Sequence, residues 1–155
     1  MAQWVEIRSR ITDKAGVQLQ PASEAEMTQL QALNVPEDAL SSFLEAEPAH
    51  HAEIENVRLL PISTVIEEST RYVPGAYIRP HGYVVFATTH CGDRYCFDLN
   101  GAVSRTSKVP IVLVSHEMVG EDTTKVELRS LAKQVATDFE SFLVAFVAGT
   151  LDTTP

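Results

Sequence analysis

The order of segment types along the chain predicts an α+β domain. An antiparallel twisted sheet is expected, with helices before it and a long amphipathic helix after it, packed on the sheet. Three observations predict it. The N-terminal part carries capped, helix-spaced apolar stripes. The middle turns to β-branched and aromatic runs separated by turn signals. The stretch 126–149 returns to an apolar period of 3.6 residues. The 155 residues show no internal repeat, low-complexity tract or Gly/Ser linker, so one domain over 1–155 is expected, with 150–155 as a short tail.

The elements follow in order. In "WVEIRSRITDKAG", Trp4, Ile7 and Ile11 share a stripe and Gly16 marks a stop. "SEAEMTQLQAL" opens on a capping box, Ser23 with Glu26, and puts Met27, Leu30 and Leu33 on one face. "VPEDALSSFLEAE" places Pro36 at a first helical position and shows Leu40, Phe43 and Leu44 at helical spacing. After the polar "PAHHAEIEN", "VRLLPI" reads as a strand closed by Pro61, and "STVIEESTRYV" as a short helix capped by Ser63. "YVVFATTH" and "RYCFDL" form a hairpin around "CGD", and "VPIVLVSH" is a further strand. "VELRSLAKQVATDFESFLVAFVAG" reads as about five turns of continuous helix carrying Leu128, Leu131, Val135, Phe139, Phe142 and Phe146, stopped by Gly149. A meander whose helices cover one face of the sheet is the expected architecture.

Composition sets the class. Hydrophobic residues at 45% with 21% charged exclude wholesale disorder. No run of eighteen apolar residues occurs, and the N-terminus lacks a secretory pattern, so a cytoplasmic protein with two reduced thiols and no membrane partner is expected. The net charge of −9 argues against direct nucleic-acid binding. That charge is concentrated: Glu37, Asp38, Glu45, Glu47, Glu53, Glu55, Glu67 and Glu68 face Arg58 alone within residues 37–68. Such a segment is either a solvated surface or a patch for a basic protein partner.

The stretch "HCGDRYCFDLNG", residues 90–101, gathers the reactive residue types. As a metal site it fails on spacing. Cys91 and Cys96 enclose four residues, there is no third cysteine, and His90 and Cys91 alternate to opposite faces of a regular strand. As a nucleophile, Cys91 has Arg94 nearby and His116 as a base on a neighbouring strand, yet no acidic orienter or oxyanion loop can be assigned. With Gly92-Asp93 as a two-residue turn, Cys91 faces Arg94 and lies diagonal to Cys96, longer than a disulfide favours. A hairpin explains every residue: Gly92 takes a positive φ, Asp93 bonds turn amides, and Tyr95 and Phe97 line one face. His50 and His51 beside Glu53 and Glu55 are adjacent in an acidic loop and make a poor ion site. Glu67 and Glu68 point about 100° apart on a helix and cannot act as a pair. No phosphate loop, G-x-S-x-G or H-E-x-x-H occurs. No catalytic residue, cofactor or metal is expected.

Four stretches together resemble the SUKH superfamily, which includes the yeast cell-wall-synthesis regulator Smi/Knr and many bacterial immunity proteins. "ASEAEMTQLQALNVPEDALSSFL" is similar to its opening helices and "VRLLPISTVIEES" to its strand, proline and short helix. "YVVFATTHCGDRYCFDLNG" resembles its central hairpin, and "VPIVLVSHE…LAKQVATDFESFLVAFVAG" its last strand and terminal helix. The likeness covers roughly residues 20–150. Where many members carry an Asn-Gly-Gly-like turn, this chain has "EAEPAHHAEIEN", which marks a member-specific surface.

The resemblance implies a non-enzymatic domain that binds a protein: a basic cognate toxin domain, nucleases included, in a bacterial polymorphic toxin system. The chain itself would act as a monomer or weak dimer. Expected contact residues are Glu45, Glu47, Glu53, Glu55, Asp93, Tyr72 and Tyr77, with Tyr83 and Tyr95 as further aromatic anchors. A regulatory interaction scaffold of the yeast kind is the alternative, and a thiol enzyme built on Cys91 a third reading.

Overall fold

The structure is a computed structural model in which residues 2–104 and 106–155 are described, apart from the side chains of residues 2, 3 and 44. Helix α1 (Ala2–Ala15) buries Ile7 and Ile11 and ends at Gly16, whose φ of +64° lets its N–H reach back to the Thr12 carbonyl at 3.0 Å. Strand β1 (Leu19–Gln20) follows. Helix α2 (Glu24–Ala32) starts on the expected capping box: the Glu26 N–H donates to Ser23 Oγ at 3.1 Å, and the Ser23 N–H to Glu26 Oε1 at 3.0 Å. Helix α3 (Glu37–Glu45) begins one residue after Pro36, which sits at the cap. Strand β2 (Glu47–Pro48) pairs with β1 as a separate two-stranded sheet.

The "AEI" of the polar stretch forms strand β3 (Ala52–Ile54), a hairpin partner of β4 (Val57–Leu59). Helix α4 (Ile62–Thr70), helix α5 (Gly75–Ile78) and one 3₁₀ turn (Arg79–His81) lead to β5 (Tyr83–Thr89), β6 (Arg94–Asp98) and β7 (Ile111–Val114). Helix α6 (Lys125–Leu131), strand β8 (Lys133–Ala136) and helix α7 (Phe139–Ala148) complete the chain. The sheet is a six-stranded antiparallel meander in sequence order, β3-β4-β5-β6-β7-β8. The α+β class and the helices packed on an antiparallel sheet are as the sequence predicts.

Two elements differ from expectation. The apolar run 126–149 is a helix, a strand and a second helix. Strand β7 is buried at all four positions and would otherwise leave a ladder edge unpaired, so residues 133–136 pair with it (Leu113↔Lys133, Ile111↔Ala136). One start signal lies just before the run and one inside it, where α7 begins. Thr124 and Glu127 form a capping box, and Asp138 accepts the Ser141 N–H at 2.8 Å to open α7.

The second difference is that helices cover both faces of the sheet. All seven residues of β5 are buried, which a one-sided sheet does not permit. On one face Tyr95 and Phe97 of β6 meet Phe142 and Phe139 of α7, with ring centroids 5.2 and 5.5 Å apart. Phe43 of α3 and Trp4 of α1 close the same aromatic cluster. On the other face Arg94 and Cys96 point towards α4 and α5. Residues 150–155 then return across the α7 side of the sheet. The fully buried Tyr95 donates its O–H to the Asp152 carbonyl at 2.7 Å, and Lys133 Nζ of β8 lies 2.6 Å from Asp152 Oδ2.

Candidate functional site

The acidic segment does not form one surface. Glu47 is 1% exposed, so it cannot touch a partner. Strand β2 turns it inward, where its Oε2 accepts the Ile62 N–H at 2.7 Å and caps α4 in place of Ser63. Burial pushes its carboxyl pKa up and nearby Glu26 adds to this, while the Ile62 N–H works against both. Glu68 is buried as well. Glu45 pairs with Arg8 of α1, and Glu53 lies 3.6 Å from Arg58, its partner across the β3–β4 hairpin. Glu45, Glu53 and Glu55 remain exposed. The physical reason is periodicity: a run of acids in sequence is distributed over opposite faces by strand alternation and helix rotation.

A second constellation is assembled only by tertiary structure. The β5–β6 turn is a three-residue loop, His90–Gly92, with Gly92 at φ +98°. The Thr89 N–H bonds the Asp93 carbonyl at 2.8 Å, so Arg94 pairs with Thr88 and not with Cys91. Glycine takes the left-handed position of that loop, which displaces Asp93 from the turn to the start of the strand. Asp93 is therefore buried, at 8% exposure. Its Oδ1 accepts the His116 backbone N–H at 3.1 Å and lies 2.8 Å from the ring Nδ1. A carboxylate only accepts, so Nδ1 carries the proton and, in the neutral ring, Nε2 is left as an acceptor.

Beside this pair, Arg94 Nε donates to Glu68 Oε2 at 3.2 Å and Nη2 to Oε1 at 3.4 Å. Nη1 donates to the Gly92 carbonyl. Both side chains of the pair are largely buried, at 14% and 10% exposure, so the charges are held in a setting of reduced dielectric. Three of the five guanidinium N–H groups are thus engaged, and the other two have no acceptor among the described residues. Gly75 locks the adjoining loop: a Cβ there would lie 2.0 Å from the Glu68 carbonyl oxygen, so α5 presses directly on the end of α4.

These contacts shape a cavity of about 250 Å³ lined by Val73, Pro74, Tyr77, Arg94, His116 and Val119. Around it Tyr72, Val73 and Met118 are 46%, 53% and 62% exposed. The neighbouring Glu67 carboxylate raises the pKa of the exposed Tyr72 phenol. Of the aromatic anchors expected from sequence, Tyr77 lines this cavity, and Tyr72 precedes its Val73 wall in the chain. Tyr83 and Tyr95 are interior and touch nothing outside the domain. Asp93 supports the site from beneath its surface. The sequence offered no signal for His116 or Glu68 as its partners, because they lie 23 and 26 residues from Asp93 and Arg94.

The thiols are separate from this arrangement. Cys91 is exposed, with Sγ 3.4 Å from His90 Nε2, whereas Cys96 is enclosed in β6 and burial pushes its thiol pKa up. The acidic orienter that sequence reading could not find for His116 is Asp93, and it holds Nδ1 against the turn. Among the described residues, no group of three or more His, Cys, Asp or Glu side chains is placed to hold a metal ion, and no helix is long and apolar enough to cross a membrane.

Comparison with curated proteins gives no match. A family model, that of the SMI1 / KNR4 family (SUKH-1), matches residues 29–145, from the second half of α2 into α7, and so takes in the whole six-stranded sheet and helices α3 to α6. With three quarters of its length inside that match, and with the α+β architecture that the four resembling stretches imply, the chain belongs to the SMI1 / KNR4 family (SUKH-1).

Proposed function

We propose that this chain is a non-enzymatic immunity-type protein that binds a cognate toxin domain of a bacterial polymorphic toxin system and neutralises it by stoichiometric occlusion. The observation that carries the reading is the coexistence of a net charge of −9 with an exposed aromatic and aliphatic patch set around ordered charge pairs. Tyr, Met and Arg are the residue types that concentrate at the centres of protein interfaces, and acids at a rim steer a basic partner into register. A toxin that acts on nucleic acid is itself basic, because it must hold phosphate, so a nuclease fits this surface. Free thiols suit the cytoplasm, where such a toxin acts. Membership of the family supports a protein partner.

Co-expression with the toxin-like domain encoded beside this chain is the test. Restored growth, a stoichiometric complex on size exclusion and an association rate that falls with salt are expected. Replacing Glu45, Glu53 and Glu55 together by Gln should slow association without unfolding the chain. Absence of a toxin-like neighbour, or a neighbour whose toxicity is unaffected, refutes immunity and leaves a regulatory scaffold of the yeast kind.

A further inference from the structure

We propose that the partner docks where the α4–α5 loop, the β5–β6 hairpin tip and the segment after β7 meet, and that the cavity there receives a tyrosine side chain of that partner. This rests on reading the chain as a protein-binding domain and places the contact that the family match leaves open.

The cavity walls select the occupant. Val73, Pro74, Tyr77 and Val119 supply apolar and aromatic surface, which calls for an apolar body. The polar walls are Arg94, two of whose guanidinium N–H groups have no acceptor among the described residues, and His116, whose Nε2 is left for a further hydrogen bond once Nδ1 is given to Asp93. A cationic side chain would meet the Arg94 guanidinium. An anionic one would meet the carboxylates of Glu68 and Asp93 directly behind the wall, which already engage Arg94 and His116. A group that carries no charge, donates one hydrogen bond and accepts another satisfies both walls. A phenol does so, and its ring matches the apolar lining.

The surroundings have the anatomy of an interface. Tyr72, Val73 and Met118 form an exposed apolar margin. The His90 N–H bonds the Asn56 carbonyl at 2.9 Å, so Glu55 stands on the same end of the sheet as the hairpin tip. Glu67 and exposed Glu117 border the patch through Tyr72 and His116, with exposed Arg71 the cation beside Tyr72. An apolar centre inside a rim where Glu55, Glu67 and Glu117 outnumber Arg71 is complementary to a basic partner that inserts one aromatic anchor.

The full ¹⁵N-labelled chain titrated with p-cresol tests the cavity without the partner. Saturable shifts at the amides of Val73, Tyr77, Arg94 and His116 are expected. Toluene, 4-methylbenzoate and 4-methylbenzylamine should bind about threefold to tenfold more weakly, since each loses the paired hydrogen bonds or adds a charge. In His116→Ala the preference for p-cresol over toluene should vanish. Because that change orphans Asp93, the surface variant Met118→Ala is the companion: with the toxin domain in hand, it should weaken the complex several-fold more than Glu53→Gln. Equal binding of toluene or of either charged analogue, or shifts centred on a second cleft, lined by Leu33, Arg79, Leu99 and Val103, overturns the proposal. A toxin complex indifferent to Met118→Ala overturns the location and leaves the immunity reading standing. Absence of any toxin overturns that reading alone, and the p-cresol result then decides the cavity.

Discussion

The carboxylate of Glu47 accepts the backbone N–H of Ile62 at 2.7 Å, so a residue of the two-stranded sheet caps a helix fifteen positions further along the chain. Ile62 is fully buried, and without that oxygen its N–H has no water to turn to. Glu47→Ala should therefore cost on the order of 1–3 kcal/mol, whereas Glu47→Gln, which keeps an acceptor and no charge, should match the wild type at acid pH and exceed it above the raised pKa. The pH dependence has a definite sign. A folded-state pKa raised above the ordinary 4.5 means that the folded chain holds this proton more tightly. Its contribution favours the fold below 4.5 and is lost as pH rises through the raised value. Urea midpoints for wild type and Glu47→Gln across pH 4.5 upwards should converge at the acid end, with the wild type losing more on the way up. Parallel curves would show that the charge is not felt.

Glu68 and Arg94 bind α4 to β6 and set the wall of the cavity. Removing one partner from a fully buried pair costs about 3–5 kcal/mol, and the residual exposure of this pair lowers the expectation to roughly 2–3 kcal/mol for Glu68→Ala or Arg94→Ala. The double variant should lose less than the sum of the two, with a coupling energy of about 1–2 kcal/mol in a chemical-denaturation cycle. Strict additivity would mean that the two side chains act independently.

The C-terminal strap is expected to be part of the folded unit. Tyr95→Phe removes one buried O–H donor and should cost about 1 kcal/mol. Truncation after Thr150 leaves that O–H unpaired and also exposes the apolar surface under Leu151, so it should lower the melting temperature further than Tyr95→Phe. The exposed Lys133–Asp152 pair adds little, so Lys133→Ala should be close to neutral. A truncated chain that melts with the wild type would show that the strap lies loosely on the sheet.

The two thiols should separate by reactivity. Native chain treated with iodoacetamide is expected to take one label, on Cys91, while Cys96 reacts only after denaturation. Peptide mass spectrometry reads this directly, and early labelling of Cys96 would reveal opening of β6 from its neighbours.

Much of this molecule was determined by local sequence. Ser23 with Glu26, Gly16 and Gly149 mark helix ends, and the β-branched runs at 83–89 and 111–114 mark strands. Caps, turns and period act over a few residues, so they can be read from neighbours in the chain. The family likeness rests on the same local signals. What the tertiary structure alone decided is where non-local hydrogen bonds must close. The edge of β7 needed a partner, and it drew residues 133–136 out of a run with helical period. Glu47, an acid within an acidic segment, was taken inside because Ile62 needed an acceptor. Asp93 found His116, and Arg94 found Glu68, across separations that no spacing encodes. Buried donors and acceptors must be paired, and the partner is whichever group the completed fold brings within reach.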